Sequence, residues 1–211
     1  LRPGPILRTY GTILQERVFY TYATAGALSF AGLFTYVAGS PIIFMDVFAV
    51  SPQVYGGIFA LLATGFIGGS QFNIRLSKKY KSAQIFRAAI FSQSVWATLF
   101  LIATLTGVVN IYIAIGCLFM TMASVGTSYP NAAALALAPF DRNAGSAAGL
   151  LGVVQICGGA GASSLIGIIN ADTLLPVVAI LAVTAWGAAA VLLAGGRFIA
   201  PASAVAGGES L

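Results

Sequence analysis

The stretch GSAAGLLGVVQICGGAGAS, residues 145–163, decides how the whole chain is read. It is apolar enough for a core, yet six of its nineteen residues are glycine. Glycine at that density ordinarily marks a loop. Whether the stretch is a linker, a phosphate-cradling loop or a tightly packed helix depends on the solvent around it.

Composition identifies that solvent. Of the 211 residues 59% are hydrophobic and only 7% are charged. A soluble domain carries about 25% charged residues, so this chain is surrounded by lipid. Apolar runs recur along its whole length, unlike the one short run of a secretory signal. In a membrane chain the net charge of +5 reflects basic loops, and no nucleic-acid partner is expected. Cys117 and Cys157 fall inside apolar runs and read as small hydrophobes rather than a disulfide. The chain has no histidine, which argues against a Ser–His protease, a His-ligated metal or a haem. No cofactor and no metal are expected, and an enzyme is the weakest functional class.

A bilayer core takes about 20 apolar residues per helix. Six runs qualify: 18–38, 54–75, 84–104, 110–135, 144–169 and 174–195. Pro41 and Pro52 bracket the first connection, and Pro176 falls in the first turn of the sixth span, where proline is tolerated. All ten Lys and Arg lie on one side of this weave: Arg2, Arg8, Arg17, Arg75, Lys78, Lys79, Lys81, Arg87, Arg142 and Arg197. The opposite connections, 39–53, 105–109 and 170–173, hold only Asp46 and Asp172. The positive-inside rule then puts both ends of the segment in the cytoplasm. Residues 1–17 read as a cytoplasmic linker; within it Ile6, Leu7, Tyr10, Ile13 and Leu14 share one helical face, as in an interfacial helix or a connector. Residues 18–197 form the bundle and 198–211 a cytoplasmic tail.

Lipid settles the glycine question. A segment crossing hydrocarbon must satisfy its own backbone, so the fifth span is helical despite its glycines. Lipid tails offer no hydrophobic drive between helices, and small residues let backbones approach. The positions 145, 149, 152, 156, 159 and 163 are Gly, Gly, Gly, Ile, Gly and Ser, a stripe at helical spacing. Gly145, Gly149, Gly152 and Gly159 are therefore expected to pack, as are Gly65 and Gly69 of the second span. The GGAG run lacks a preceding strand and a third spaced glycine, so it is no dinucleotide loop.

The spans fall into two triplets. The second and fifth are rich in glycine. The first and fourth carry polar stripes: Tyr22, Ser29 and Tyr36 on one, Cys117, Thr121, Ser124, Ser128 and Asn131 on the other. The third and sixth are plainer, apart from Gln93. Two three-helix units of opposite topology predict an all-α membrane protein built as an inverted repeat. Polar-striped helices would face a wet cavity, glycine-rich ones a close interface, and plain ones lipid. Tyr22, Ser29, Tyr36, Ser124, Ser128, Asn131 and Gln155 are the cavity candidates. Pro130 predicts a kink in the fourth span.

Three stretches carry a family resemblance: FAGLFTYVAGSP (30–41), SPQVYGGIFALLATGFIGGSQFNIRL (51–76) and YPNAAALALAPFDRNAGSAAGLLGVVQ (129–155). They resemble the C-terminal six helices of the Bcr/CflA-type (bicyclomycin-resistance-like) multidrug efflux transporters of the major facilitator superfamily. GSQFNIRLSKKYK (69–81) looks like the degenerate second copy of the superfamily's glycine/basic loop, through Gly69, Arg75, Lys78 and Lys79, with Asn73 where the first copy has an acid. The resemblance implies a twelve-helix drug:proton antiporter in a bacterial inner membrane. Its partners would be the lipid bilayer, an N-terminal half, a small hydrophobic drug and protons. The first-half motifs and a central titratable group are missing from this chain. It is therefore expected to be a fragment that cannot pump alone. The alternatives are a stand-alone six-span protein that dimerises to transport, or a non-transporting assembly subunit.

Overall fold

The computed structural model describes residues 10–140, 143–169 and 173–196. The readings that involve Arg2, Arg8, Arg142, Arg197, Asp172, the face residues Ile6 and Leu7, and the 198–211 tail lie outside the described residues. Six long helices follow one another: α1 (Arg17–Pro41), α2 (Pro52–Leu76), α3 (Ser82–Leu105), α4 (Ile111–Leu137), α5 (Ala144–Ile168) and α6 (Leu174–Gly196). All six are long and apolar enough to cross a membrane, and no strand occurs among the described residues.

Local chemistry sets their ends. Pro52 occupies the first turn of α2, and Ser51 accepts a hydrogen bond from the Val54 amide. The Asn110 side chain accepts from the Ile113 amide at 3.0 Å to open α4. Gly107 supplies the positive φ of the turn after α3.

The first span is longer than the sequence reading, which ended it before Pro41. The helix continues through Pro41 into a wider π-helical turn, Ile42–Val47. Pro41 has no N–H for the carbonyl of Val37. The Ser40 hydroxyl donates to that carbonyl at 3.2 Å instead. Ile43 and Phe44 are completely buried, so apolar packing holds the irregular turn in place. Pro130 likewise lies inside a continuous helix, α4.

The packing is interlocked. α1 packs against α4, α5 and α6, α4 packs against α1, α2 and α3, and α3 meets α6. Exchanging the two triplets, α1–α3 for α4–α6, maps this set of contacts onto itself. Each triplet's first helix is thus enclosed by the middle and last helices of the other. Half of the spanning window of α1 and of α4 is buried, against 22–39% for the other four helices, so these two form the axis. This is the inverted-repeat architecture expected of half a major facilitator fold.

Glycines permit the crossings. A Cβ on Gly69 of α2 would collide with the Ala123 carbonyl of α4, and one on Gly126 of α4 would collide with the Phe66 carbonyl of α2. At this contact the Thr127 hydroxyl donates to the Gly69 carbonyl at 3.1 Å. At the equivalent α1–α5 crossing, Gly159 leaves room for the Phe34 ring and Gly158 sits against Ala27. Residues 10–15 are helical and dock on one end of the bundle. There Ile13 is buried beside Phe19, Ala136, Ala147 and Leu151, while Leu14 is exposed.

Gly126→Val is expected to destabilise the protein carrying this chain by about 1–3 kcal/mol, the usual cost of overpacking. Gly116→Val, where a Cβ meets nothing within 4 Å, is the control. Thermal unfolding followed by size-exclusion chromatography separates the two, and equal behaviour would mean that the α2–α4 approach is not under steric control.

Candidate functional site

The centre of the bundle is a polar knot. Ser29 of α1 donates from Oγ to Gln93 Oε1 of α3 at 2.6 Å. Gln93 Nε2 donates back to the Ser29 carbonyl at 3.1 Å. Ser128 Oγ of α4 lies 2.9 Å from Ser29 Oγ. Ser128 Oγ also donates to the Val125 carbonyl of its own helix at 3.0 Å. All three side chains are buried. A Cβ on Gly32 would press on the Gln93 amide nitrogen, so glycine there makes room for the knot. In hydrocarbon an unpaired amide is costly, and here Gln93 finds both partners on one neighbouring helix.

The rest of the α4 stripe fans out to other helices. Ser124 Oγ is bonded to Ser92 Oγ of α3 at 3.0 Å and to its own Met120 carbonyl at 2.8 Å. Asn131 Nδ2 donates to Asn73 Oδ1 of α2 at 2.6 Å and to the Thr127 carbonyl at 2.8 Å. Thr121 bonds back to the Cys117 carbonyl. Residues that share a stripe in sequence therefore serve three different neighbours. Tyr22 is half-buried and edge-on to Phe86. Tyr36 is buried and stacks on Phe59 at 5.5 Å. The Tyr36 hydroxyl and the Gln155 Nε2 are buried and make no hydrogen bond among the described residues.

Two features were missed in sequence. Gln93 looked like a stray polar residue on a plain helix, yet it ties α3 to α1. An aromatic group also joins the two axial helices. Phe30 of α1 lies 4.8 Å from Tyr129 of α4, centroid to centroid, and 5.5 Å from Phe34. Phe34 seats on Gly159 of α5, while Tyr129 keeps 39% of its surface exposed. The i, i+4 spacing of Phe30 and Phe34 was the available signal.

No family model matches the chain. Its sequence is 30% identical over 184 residues to an uncharacterized MFS-type transporter, YdgK, of Bacillus subtilis, covering 86% of this chain and 45% of that protein. It is 27% identical over 176 residues to the bicyclomycin resistance protein homolog of Haemophilus influenzae, covering 83% of this chain and 44% of that one. This chain is a homologue of MFS-type transporters. It spans less than half the length of each of these two relatives.

The bundle has two kinds of glycine. Gly65 and Gly69 press on α4, and Gly159 takes the Phe34 ring. Gly145, Gly149 and Gly152 meet nothing within 4 Å of a Cβ position. The face that α5 turns inward is Ala147, Leu151, Gln155, Gly159, Ala162 and Ile166. The glycine stripe lies beside it and points out. In the loop motif, Gly69 and Asn73 face α4, whereas Arg75, Lys78 and Lys79 are exposed.

Gln93→Leu is expected to cost about 1–3 kcal/mol, because it leaves Ser29 without its acceptor. Combined with Ser29→Ala, the loss falls short of the sum by roughly 0.6–1.7 kcal/mol, the range of coupled membrane hydrogen bonds. Unfolding in mixed micelles measures the cycle; strict additivity would mean that the two residues do not act together.

Proposed function

We infer that this chain is the C-terminal half of a twelve-helix transporter, and that with an N-terminal half it exports small hydrophobic drugs in exchange for protons. The observation that carries this reading is the bare face of α5. Three glycines at helical spacing, Gly145, Gly149 and Gly152, lie open on a helix whose other face is already packed. Small residues of this kind let a further helix approach closely. The match to only 44–45% of each relative's length supports a missing half of similar size.

On this reading α2 and α5 meet the other half, and α1 and α4 front the space between the halves. Phe30, Phe34 and Tyr129 offer a cluster of aromatic rings there, set at angles to one another. Stacking on aromatic faces with few hydrogen bonds suits a weakly polar drug. Tyr22, Ser29, Tyr36, Ser124, Ser128, Asn131 and Gln155 are kept as cavity candidates. Among them Tyr36 and Gln155 have polar atoms not yet used. Transport proceeds by rocking of this bundle against its partner around a midplane site. Proton handling is assigned to the other half, because the spans of this one carry no central carboxylate among the described residues. The basic charges of loop 77–81 support a cytoplasmic position for it.

The test compares vesicles holding this 211-residue chain with vesicles holding the longer native polypeptide, assaying bicyclomycin and a hydrophobic dye under a proton gradient. Only the longer protein should transport. Gly149→Leu in it should lower transport at least tenfold with little change in thermal stability, and Tyr129→Ala should raise the KM for the dye. Proton-driven efflux by the short chain alone would overturn the half-transporter reading and favour a homodimer.

A further inference from the structure

A groove of about 740 Å³ opens between α2 and α3, with α4 as its floor. Its walls include Gly68, Phe72 and Leu76 of α2, Ala88 of α3 and Ala123 of α4. The lining runs along α2 from Thr64, the middle of that helix, to Leu76 at its end. Twelve residues at 1.5 Å rise give roughly 18 Å. A leaflet's share of the hydrocarbon core is about 15 Å, half of about 30 Å. The groove therefore extends through one leaflet, from near the midplane to the membrane surface.

The depth of the groove is mainly apolar and offers little to a polar ligand. The hydroxyls of Thr64, Ser124 and Thr127 in the lining donate inside the protein, and Ser92 accepts from Ser124. Thr64 donates to the Leu61 carbonyl, and Thr127 to the carbonyls of Ala123 and Gly69. Ser124 donates to Ser92 and to the Met120 carbonyl. A saturated chain fits these walls and a hydrogen-bonding solute does not.

The mouth has the opposite character. Tyr80 and Gln84 line it. The Lys79 ammonium sits 5.5 Å from the centre of the Tyr80 ring, which brings its charge to the rim. Lys81 immediately precedes α3, and its backbone amide donates to Gln84 Oε1. Arg75, Lys78, Lys79 and Lys81 are all exposed, and residues 70–90 contain no Asp or Glu. Lys and Arg at a membrane surface attract anionic headgroups.

We propose that this groove binds one anionic phospholipid, with an acyl chain lying between α2 and α3 and the phosphate held at loop 77–81. The occupant is a lipid, because only an amphiphile matches an apolar trough one leaflet deep beneath a purely basic rim. The inference needs the membrane location alone and is independent of transport direction or drug.

The experiment uses the full native polypeptide in nanodiscs of equal phosphatidylglycerol and phosphatidylcholine, released into native mass spectrometry. Wild type should retain phosphatidylglycerol at least fivefold over phosphatidylcholine. Replacing Lys78, Lys79 and Lys81 together with Gln should bring that ratio near one. Ala88→Phe, which fills the groove, should remove the retained lipid. Gly68→Leu is a second filler, at a position where a Cβ meets nothing within 4 Å, and guards against a folding defect in the first. Thermal unfolding identifies which variants are folded. A wild-type ratio near one, a ratio unmoved by the lysine changes, or retention unaltered in folded groove-filled variants would overturn the proposal.

Discussion

Everything in this bundle depends on backbone meeting backbone. In hydrocarbon, burying a leucine against another leucine gains little over burying it against a lipid tail. Helices are held instead where they come close enough for dense contact and direct hydrogen bonding. Gly69 and Gly126 provide that at the α2–α4 crossing, each occupying the space beside the other helix's carbonyl. The Thr127 hydroxyl bonds across the same contact. A methyl group at either glycine would separate the helices and break that bond. The α1–α5 crossing follows the same logic with gentler means, an aromatic ring lying over Gly159.

The polar knot supplies direction where packing alone would leave sliding freedom. Small residues along a helix allow several registers, whereas Gln93 reaches Ser29 from only one. Ser128 extends the link to α4, so three helices share one registered point. Asn131 and Asn73 repeat the device between α4 and α2. These bonds sit on the α1–α4 axis, where the two triplets meet. The axis is pinned, and the peripheral glycine face of α5 is left free for something else.

The sequence was informative about this fold to different depths. Span number, the lipid solvent and the division into triplets followed from hydropathy and from the repeated placing of glycine and hydroxyl residues. The interlocking did not, because nothing in a helix's composition says that α1 packs far more along α5 than along α2. Facing directions were also hidden. The α5 glycines and the inward face Ala147–Leu151–Gln155–Gly159 are neighbouring stripes of similar polarity, and lipid does not penalise either choice. The α4 stripe was read correctly as periodic, but a stripe wide enough to touch three helices distributes its bonds among them. Pro41 misled because proline usually ends a helix; a serine one residue earlier supplied the missing donor.

The interlocking also has a history built into it. Of these six helices α1 reaches the membrane before the others, yet it packs chiefly against α4, α5 and α6, with side-chain links to α2 and α3. Until those helices arrive, Ser29 and Gln93 can find one another but α1 has no enclosing wall. The bundle therefore closes late, from its last helices inward, and the first of these six helices is the last to be enclosed. An insertion machinery that shields a lone polar-striped helix serves this chain during that wait, and a truncation after α3 leaves a triplet with no interior.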